Sequence, residues 1–229
     1  MDINTPKKTV IVNFKKLAGN DAVDLAIKLN EADDALLDTY DIVLAVQAPD
    51  IVKVSQCCKF SIFVQDIFSD EKNSFLQYFE KIRFSGCHNV TGVILNHPEK
   101  KLSPDVLEAS IRKAMEMELK LLICATSIRE AVRLDKYAPS FIGIENEDLI
   151  GKEDSFVNHC PQIVREAKSH IGADILIGAG VKTSHDLNHV IETGGSGVLI
   201  SSLILKSTDP SSTLNDFLNL KHHGKYLVI

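Results

Sequence analysis

Eight short apolar runs, each followed by polar residues and then by a stretch with helical spacing, constrain this chain more than any other feature. The runs are TVIVNFK (9–15), DIVLAVQ (41–47), FSIFVQD (60–66), VTGVILNH (90–97), KLLICAT (120–126), FIGIE (141–145), DILIGAG (174–180) and SGVLIS (196–201). They are rich in Val, Ile, Leu and Phe and nearly continuous, which suits strands covered on both faces, as in a parallel sheet. Helical stretches fit residues 20–37, 48–58, 71–84, 103–118, 127–136, 158–170, 184–193 and 211–221. In the first, Val23, Ala26, Ile27, Leu29 and Leu36 sit among charged residues. The third places Phe75, Phe79 and Ile82 at helical spacing. The fourth opens SPDVLE: Ser103 can cap, Pro104 suits the first turn, and Asp105 and Glu108 suit the positive end of the helix dipole. Strict alternation of eight strands and eight helices predicts an α/β fold, a single (β/α)8 barrel over residues 1–229. An open doubly wound sheet is the alternative. It normally carries a glycine fingerprint after its first strand, and NFKKLAGN has none.

The chain has 229 residues, 45% of them hydrophobic, enough for one large barrel with a sizeable core. Its net charge is −6, and no basic stripe stands out, so nucleic acid is not an expected partner. An anion must then be held by local groups against the overall field. No apolar run approaches the roughly 20 residues of a membrane span. MDINTPKKTVIVNF lacks the features of a signal peptide. Cysteines at 57, 58, 87, 124 and 160 are odd in number and lack metal-type spacing, which suits a reducing cytoplasm. Cys57 and Cys58 read as helix packing. His185 and His189, four apart on a helix, have no third partner nearby in sequence and read as surface.

In such a barrel the C-terminal ends of all strands open on one face, where active sites are built. Those ends carry Asn13 and Lys15, Gln47, Gln65 and Asp66, Asn96 and His97, Cys124 and Thr126, Glu145, Gly178 and Gly180, and Ser201 and Ser202. Singly, Lys15 reads as solvated surface, His97 as a capped strand end and Glu145 as a rim charge. Together they bring a base, an imidazole and an ammonium to one mouth. The GAG at 178–180 allows close backbone approach to a ligand, or is a tight turn into a helix. Loops after the last two strands often hold phosphate in such barrels.

These residues make the sequence similar to triosephosphate isomerase in its short archaeal form. The resemblance rests on VIVNFK with Asn13 and Lys15, FVQ with Gln65, VILNHPEK with His97 and Glu99, LLIC with Cys124, IENEDLIG with Glu145 and Gly151, and LIGAGVKTSHD before GVLIS. It implies an isomerase interconverting dihydroxyacetone phosphate and glyceraldehyde 3-phosphate, with a small phosphorylated triose as substrate and no metal or cofactor. It further implies a homodimer or homotetramer. Lys15 would stabilise charge on the substrate oxygen, with Asn13 helping to polarise the carbonyl. His97 would hydrogen-bond the carbonyl and enediolate oxygens, and Glu145 would move the proton. Glu99 would brace the lysine, and Cys124 would pack near the base. Gly151 would meet the phosphate through its amide, and Gly178, Gly180, Ser201 and Ser202 would line the phosphate side.

The chain departs from the family pattern in places. Asn146 follows the glutamate where the family has proline, and Lys152 and Glu153 follow Gly151 where it has Thr-Gly. Pro98 replaces a serine after His97, removing a hydroxyl and an amide donor. DIFSDEKNSFLQYF lacks the Thr-Gly pair that enters a neighbouring subunit. These changes keep two other readings open: a non-catalytic relative that binds a phosphorylated metabolite, or another phosphate-sugar enzyme on this barrel.

Overall fold

The computed structural model describes residues 6–65, 86–145 and 162–219. Eight parallel strands close into a barrel in chain order. They are β1 Lys8–Asn13, β2 Tyr40–Val46, β3 Ser61–Val64, β4 Val90–Leu95, β5 Lys120–Ala125, β6 Phe141–Glu145, β7 Asp174–Gly178 and β8 Gly197–Ile200. Around them lie helices α1 Asn20–Leu29, α2 Ile51–Cys57, α3 Pro104–Glu116, α4 Ile128–Asp135, α5 Ile163–Lys168, α6 Ser184–Glu192, α7 Ser202–Leu205 and α8 Pro210–Leu218. The architecture is the (β/α)8 barrel, not the open sheet. The helix expected at 71–84 and the start of the one expected at 158–170 lie outside the described residues. Among the described residues no helix is long and apolar enough to cross a membrane.

The near-continuous apolar runs follow from the two faces of each strand. Side chains alternate in and out. Ile11, Val43, Ala45, Phe63, Ile94, Leu122, Cys124, Phe141, Leu176 and Leu199 fill the barrel interior as one cluster. Their neighbours, among them Val10, Val12, Leu44, Ile62, Ile123, Ile142, Ile177 and Val198, pack outward against the helices in a larger cluster. Both faces are dry, so both need apolar residues.

Among the strands that end earlier than the apolar runs suggest, β1, β4 and β7 share one reason. Lys15, Asn96 and Ala179 have φ of 50°, 59° and 55°, in the left-handed region that cannot continue a strand. The stretch 20–37 is also not one helix. Asn30 ends α1, and its side chain donates to the Cys57 carbonyl at 2.6 Å and accepts from the Lys59 amide at 3.0 Å. A separate 3-10 turn, Asp34–Asp38, then starts at Asp33, whose carboxylate accepts from the Ala35 amide. Ser103 precedes α3 as expected, but its side chain makes no capping bond. The helix expected at 211–221 is α8, capped by Asp209 on the Ser212 amide, and the short α7 before it is a helix the apolar spacing does not announce.

The barrel closes where β1 meets β8, with Thr9 beside Gly197 and Val12 beside Ile200. A Cβ built on Gly197 would stand 1.8 Å from the Thr9 carbonyl oxygen, a backbone atom that cannot turn aside. Glycine in a strand interior marks such close backbone approach. Gly197→Ala is therefore expected to destabilise the fold by roughly 3 kcal/mol or more. Urea unfolding checks this; a midpoint unchanged from the native chain would show that the seam tolerates the methyl group.

Candidate active site

The first corner of the site is the end of β1. Asn13 is buried, and its Oδ1 accepts from the Lys15 amide at 2.9 Å, a side-chain turn that favours left-handed backbone two residues on. The Gln47 amide donates to the Lys15 carbonyl at 3.0 Å from the end of β2. These two bonds hold Lys15 in a conformation that costs on the order of 1–3 kcal/mol. Its Nζ pairs with Glu99 Oε1 at 2.8 Å. Partial burial would raise the Glu99 carboxyl, but the bond and charge of Lys15, helped by His97 and Lys16, outweigh it and hold the group below its ordinary value.

The second corner follows β4. Asn96 turns the chain through its left-handed φ, and His97 then caps a short 3-10 turn, Pro98–Lys100. His97 Nδ1 accepts from the Glu99 amide at 3.3 Å, and Nε2 lies 3.2 Å from Glu145 Oε1 and 3.3 Å from Asn13 Nδ2. Both ring nitrogens thus face an N–H group, and a neutral ring can accept at only one. The backbone amide is fixed, and the carboxylate oxygen beside Nε2 requires a donor there. The ring proton is accordingly assigned to Nε2, and the Asn13 contact is an approach of two donors rather than a hydrogen bond.

The third corner is the last residue of β6. Glu145 is 6% exposed. Its Oε1 is close to His97 Nε2 but not aligned with it, and no hydrogen bond satisfies that buried atom. Behind it Cys124 is fully buried. Burial, then the charge of Glu145 and a hydrogen bond to it, push the thiol well above its ordinary value, so it stays protonated beside the carboxylate. On the other side, a Cβ built on Gly178 would lie 2.5 Å from Glu145 Cγ. The space left by Gly178 is filled by the acid itself.

A cavity of about 370 Å³ opens at this mouth, lined by Asn13, Lys15, Gln47, Gln65, His97 and Glu99 among others. Glu145 does not line it and lies behind His97, in contact with the ring. Ser201 lies against β1, where its Oγ donates to the Asn13 carbonyl at 2.8 Å, so its hydroxyl is engaged by the barrel. Gly180, with φ 75°, and Ser202, the first residue of α7, do not line the cavity. The Lys182 and Thr183 amides after GAG are taken by Asp186 in a capping box of α6. Gly151, with Asn146, Lys152 and Glu153, lies outside the described residues. His185 is exposed, and no group of three or more potential metal ligands occurs among the described residues.

One residue at the mouth escaped the sequence reading. Glu130, in α4, accepts from Asn96 Nδ2 at 3.1 Å, Lys101 Nζ at 2.9 Å and the Thr126 amide at 2.8 Å. Burial would raise its carboxyl, but the Thr126 amide, Lys101 and Asn96 together hold it below its ordinary value. The only local signal is the spacing Ser127-x-x-Glu130, which reads as a helix cap. Ser127 does cap the Glu130 amide, while the Glu130 carboxylate reaches across to the strand ends.

A closed parallel barrel with a carboxylate, an imidazole and an ammonium joined at its C-terminal mouth defines a (β/α)8-barrel protein equipped for acid–base chemistry. The family model for triosephosphate isomerase matches residues 8–221. The chain belongs to the triosephosphate isomerase family. It is 30% identical to the triosephosphate isomerase of Thermoplasma volcanium over 221 residues, covering 92% of this chain and 99% of that protein. It is likewise 30% identical to the triosephosphate isomerase of Methanosarcina mazei, with 92% and 97% covered. Identity to that of Saccharolobus solfataricus is 24%, with 91% and 94% covered.

The depressed Glu130 carboxyl links stability to pH. A group whose pKa is lower in the folded chain contributes stability above its unfolded value, near 4.5, and loses that contribution as pH falls through the folded value. Glu130→Gln is therefore expected to melt below the native chain at pH 7, with the gap closing as pH falls below 4.5. Thermal melts at pH 7 and at acid pH check this; a gap that widens in acid would contradict it.

Proposed function

We propose that the chain interconverts dihydroxyacetone phosphate and glyceraldehyde 3-phosphate by proton transfer through an enediolate. Glu145 takes a proton from the ketose C1. The C–H electron pair forms the C1–C2 double bond, and the carbonyl π electrons move to the C2 oxygen. The Nε2–H of His97 hydrogen-bonds the developing charge and passes protons between the two oxygens. Glu145 then returns its proton to C2, leaving the aldehyde at C1. The family is itself the standard illustration of a glutamate base working with a neutral histidine. Every proton stays among substrate and side chains, so the reaction as written needs no metal or cofactor.

The observation that carries this reading is the buried Glu145 oxygen, unsatisfied and 3.2 Å from His97 Nε2. An unpaired acid oxygen held against an imidazole of the cavity wall lets one substrate meet both groups. A positioned acid–base pair contributes roughly 10²–10⁴ in rate, and one donor to an oxyanion roughly 10²–10³. In this reading Lys15 steadies charge on the substrate oxygen, with Asn13 beside it. Glu99 braces Lys15, and Cys124 backs the base. The amides of Gly151, Gly178, Gly180, Ser201 and Ser202 serve the phosphate side. Retention of lysine, histidine and glutamate speaks against a purely binding relative. Action in glycolysis and gluconeogenesis, a cytoplasmic site, and assembly as a homodimer or homotetramer belong to the same proposal.

A coupled assay in both directions tests it. The native chain should turn over either triose phosphate, and Glu145→Asp, which withdraws the carboxylate by about 1 Å, should lose about 10²-fold in kcat. A native chain inactive on both substrates would overturn the assignment. Gly178→Ala places a methyl group against Glu145 Cγ. It should lower kcat and kcat/KM together by about tenfold or more, the mark of an interaction made in the transition state. Wild-type kinetics in that variant would show that Glu145 does not depend on the space beside it.

A further inference from the structure

We infer that Glu130 is a positioning residue that sets the approach of His97 to Glu145, an inference that rests on the isomerase reading above. Glu130 does not touch the cavity. Its carboxylate makes five polar contacts, all with groups that donate. Oε1 receives Asn96 Nδ2 and Lys101 Nζ, and Oε2 receives Lys101 Nζ at 3.0 Å, the Thr126 amide, and Thr126 Oγ1 at 3.1 Å. Only a group that accepts on both oxygens satisfies that set, and at neutral pH an ionised carboxylate does so.

What the carboxylate joins gives it consequence. Asn96 precedes His97 directly, and Lys101 follows the turn that carries Glu99. The two ends of this segment are also tied to each other, since the Leu102 amide donates to Asn96 Oδ1 at 3.2 Å. Asn96 Nδ2 donates in addition to the carbonyl of Cys124 at 2.9 Å. Cys124 is the residue packed against Glu145. One carboxylate thus fastens the segment bearing the imidazole to the end of β5, which backs the base. It does so through Asn96, whose left-handed φ of 59° aims His97 inward. Without that anchor the backbone at Asn96 can relax toward the extended region, and the imidazole turns with it.

Glu130→Gln is the direct test. In either orientation the glutamine places an NH2 group against donors, so the anchor fails with little change of volume. A displacement of about 1 Å at reacting groups costs up to roughly 10² in rate. Two ligands separate positioning from general loosening. 2-Phosphoglycolate carries a carboxylate in place of the enediolate as well as a phosphate, whereas inorganic phosphate probes the phosphate side alone. In folded Glu130→Gln, kcat should fall about tenfold to hundredfold and 2-phosphoglycolate should bind about tenfold more weakly. Inorganic phosphate should change by less than about twofold, and the His97 Nε2 proton resonance should shift or broaden. Asn96→Gly keeps the left-handed φ accessible but removes the link to Glu130. The double variant with Glu130→Gln should lose less than the product of the two single losses, because both act through one contact. A folded Glu130→Gln with kcat and 2-phosphoglycolate affinity within about twofold of the native chain would overturn the proposal, whatever its melting temperature. Equal weakening of both ligands, or fully multiplicative losses in the double variant, would overturn it too. An inactive native chain would instead remove the isomerase reading, and the His97 resonance would still report whether Glu130 fixes the ring.

Discussion

Closure of the sheet between β1 and β8 fixes the geometry of everything at the mouth. Thr9 and Gly197 meet so closely that no side chain fits between them, and the register of that seam sets how far β1 rises relative to its neighbours. In a closed parallel barrel every strand points the same way, so inward positions rise in step toward one opening. Ile11 is followed on the inner face by Asn13, Ala45 by Gln47, Phe63 by Gln65, Leu176 by Gly178 and Leu199 by Ser201. The interior cluster stops and the polar site begins one inward step higher. The same parity that packs the core delivers the reactive groups.

Parity alone would leave those groups on extended strands, facing the barrel axis. Lys15 and Asn96 break that rule with left-handed backbone at the ends of β1 and β4. Each is held by an asparagine side chain acting on nearby backbone: Asn13 on the Lys15 amide, and Asn96 itself on the Leu102 amide and the Cys124 carbonyl. The strain at each turn is of order 1–3 kcal/mol, and it persists because two or more hydrogen bonds over-determine it. The effect is to swing a long cation and an imidazole toward each other across the mouth, with Glu99 touching both.

The barrel could be read from the chain because its signal is distributed: eight apolar runs and their spacing survive errors at any one of them. Strand ends were harder, since apolar character does not reveal where φ turns positive. Apolar character alone extends the strands through residues 14–15, 96–97 and 179–180 for that reason. The helix at 20–37 misled because Leu36 continues the apolar spacing past Asn30, where a side chain anchored on Cys57 and Lys59 ends it. At the site, the approach of His97 to Glu145 was legible from strand order. The role of the space beside Gly178 was not, because a gap kept for a neighbouring side chain looks in sequence like a gap kept for a ligand. Glu130 was invisible for a related reason: its partners lie 4 to 34 positions away, and its local spacing spells a helix cap.

The charge state of His97 decides whether the mouth can work as a base. Lys15 and Glu99 already form a close ion pair, and Glu145 sits buried with an oxygen unsatisfied. A second proton on the ring, at Nδ1, would set a full charge beside that oxygen, and buried opposite charges so close would bind each other rather than a substrate. The Glu99 amide opposes this from the far side of the ring, because Nδ1 can accept that N–H only while it carries a lone pair. Pro98 tightens the arrangement: with φ fixed and no amide of its own, it leaves the Glu99 N–H as the donor that reaches back to the imidazole. A neutral ring keeps one donor aimed at the cavity and leaves the carboxylate free to take a proton. In a chain of net charge −6, that local arrangement of one ion pair, one neutral donor and one unsatisfied acid lets the mouth receive an anion and still act as a base.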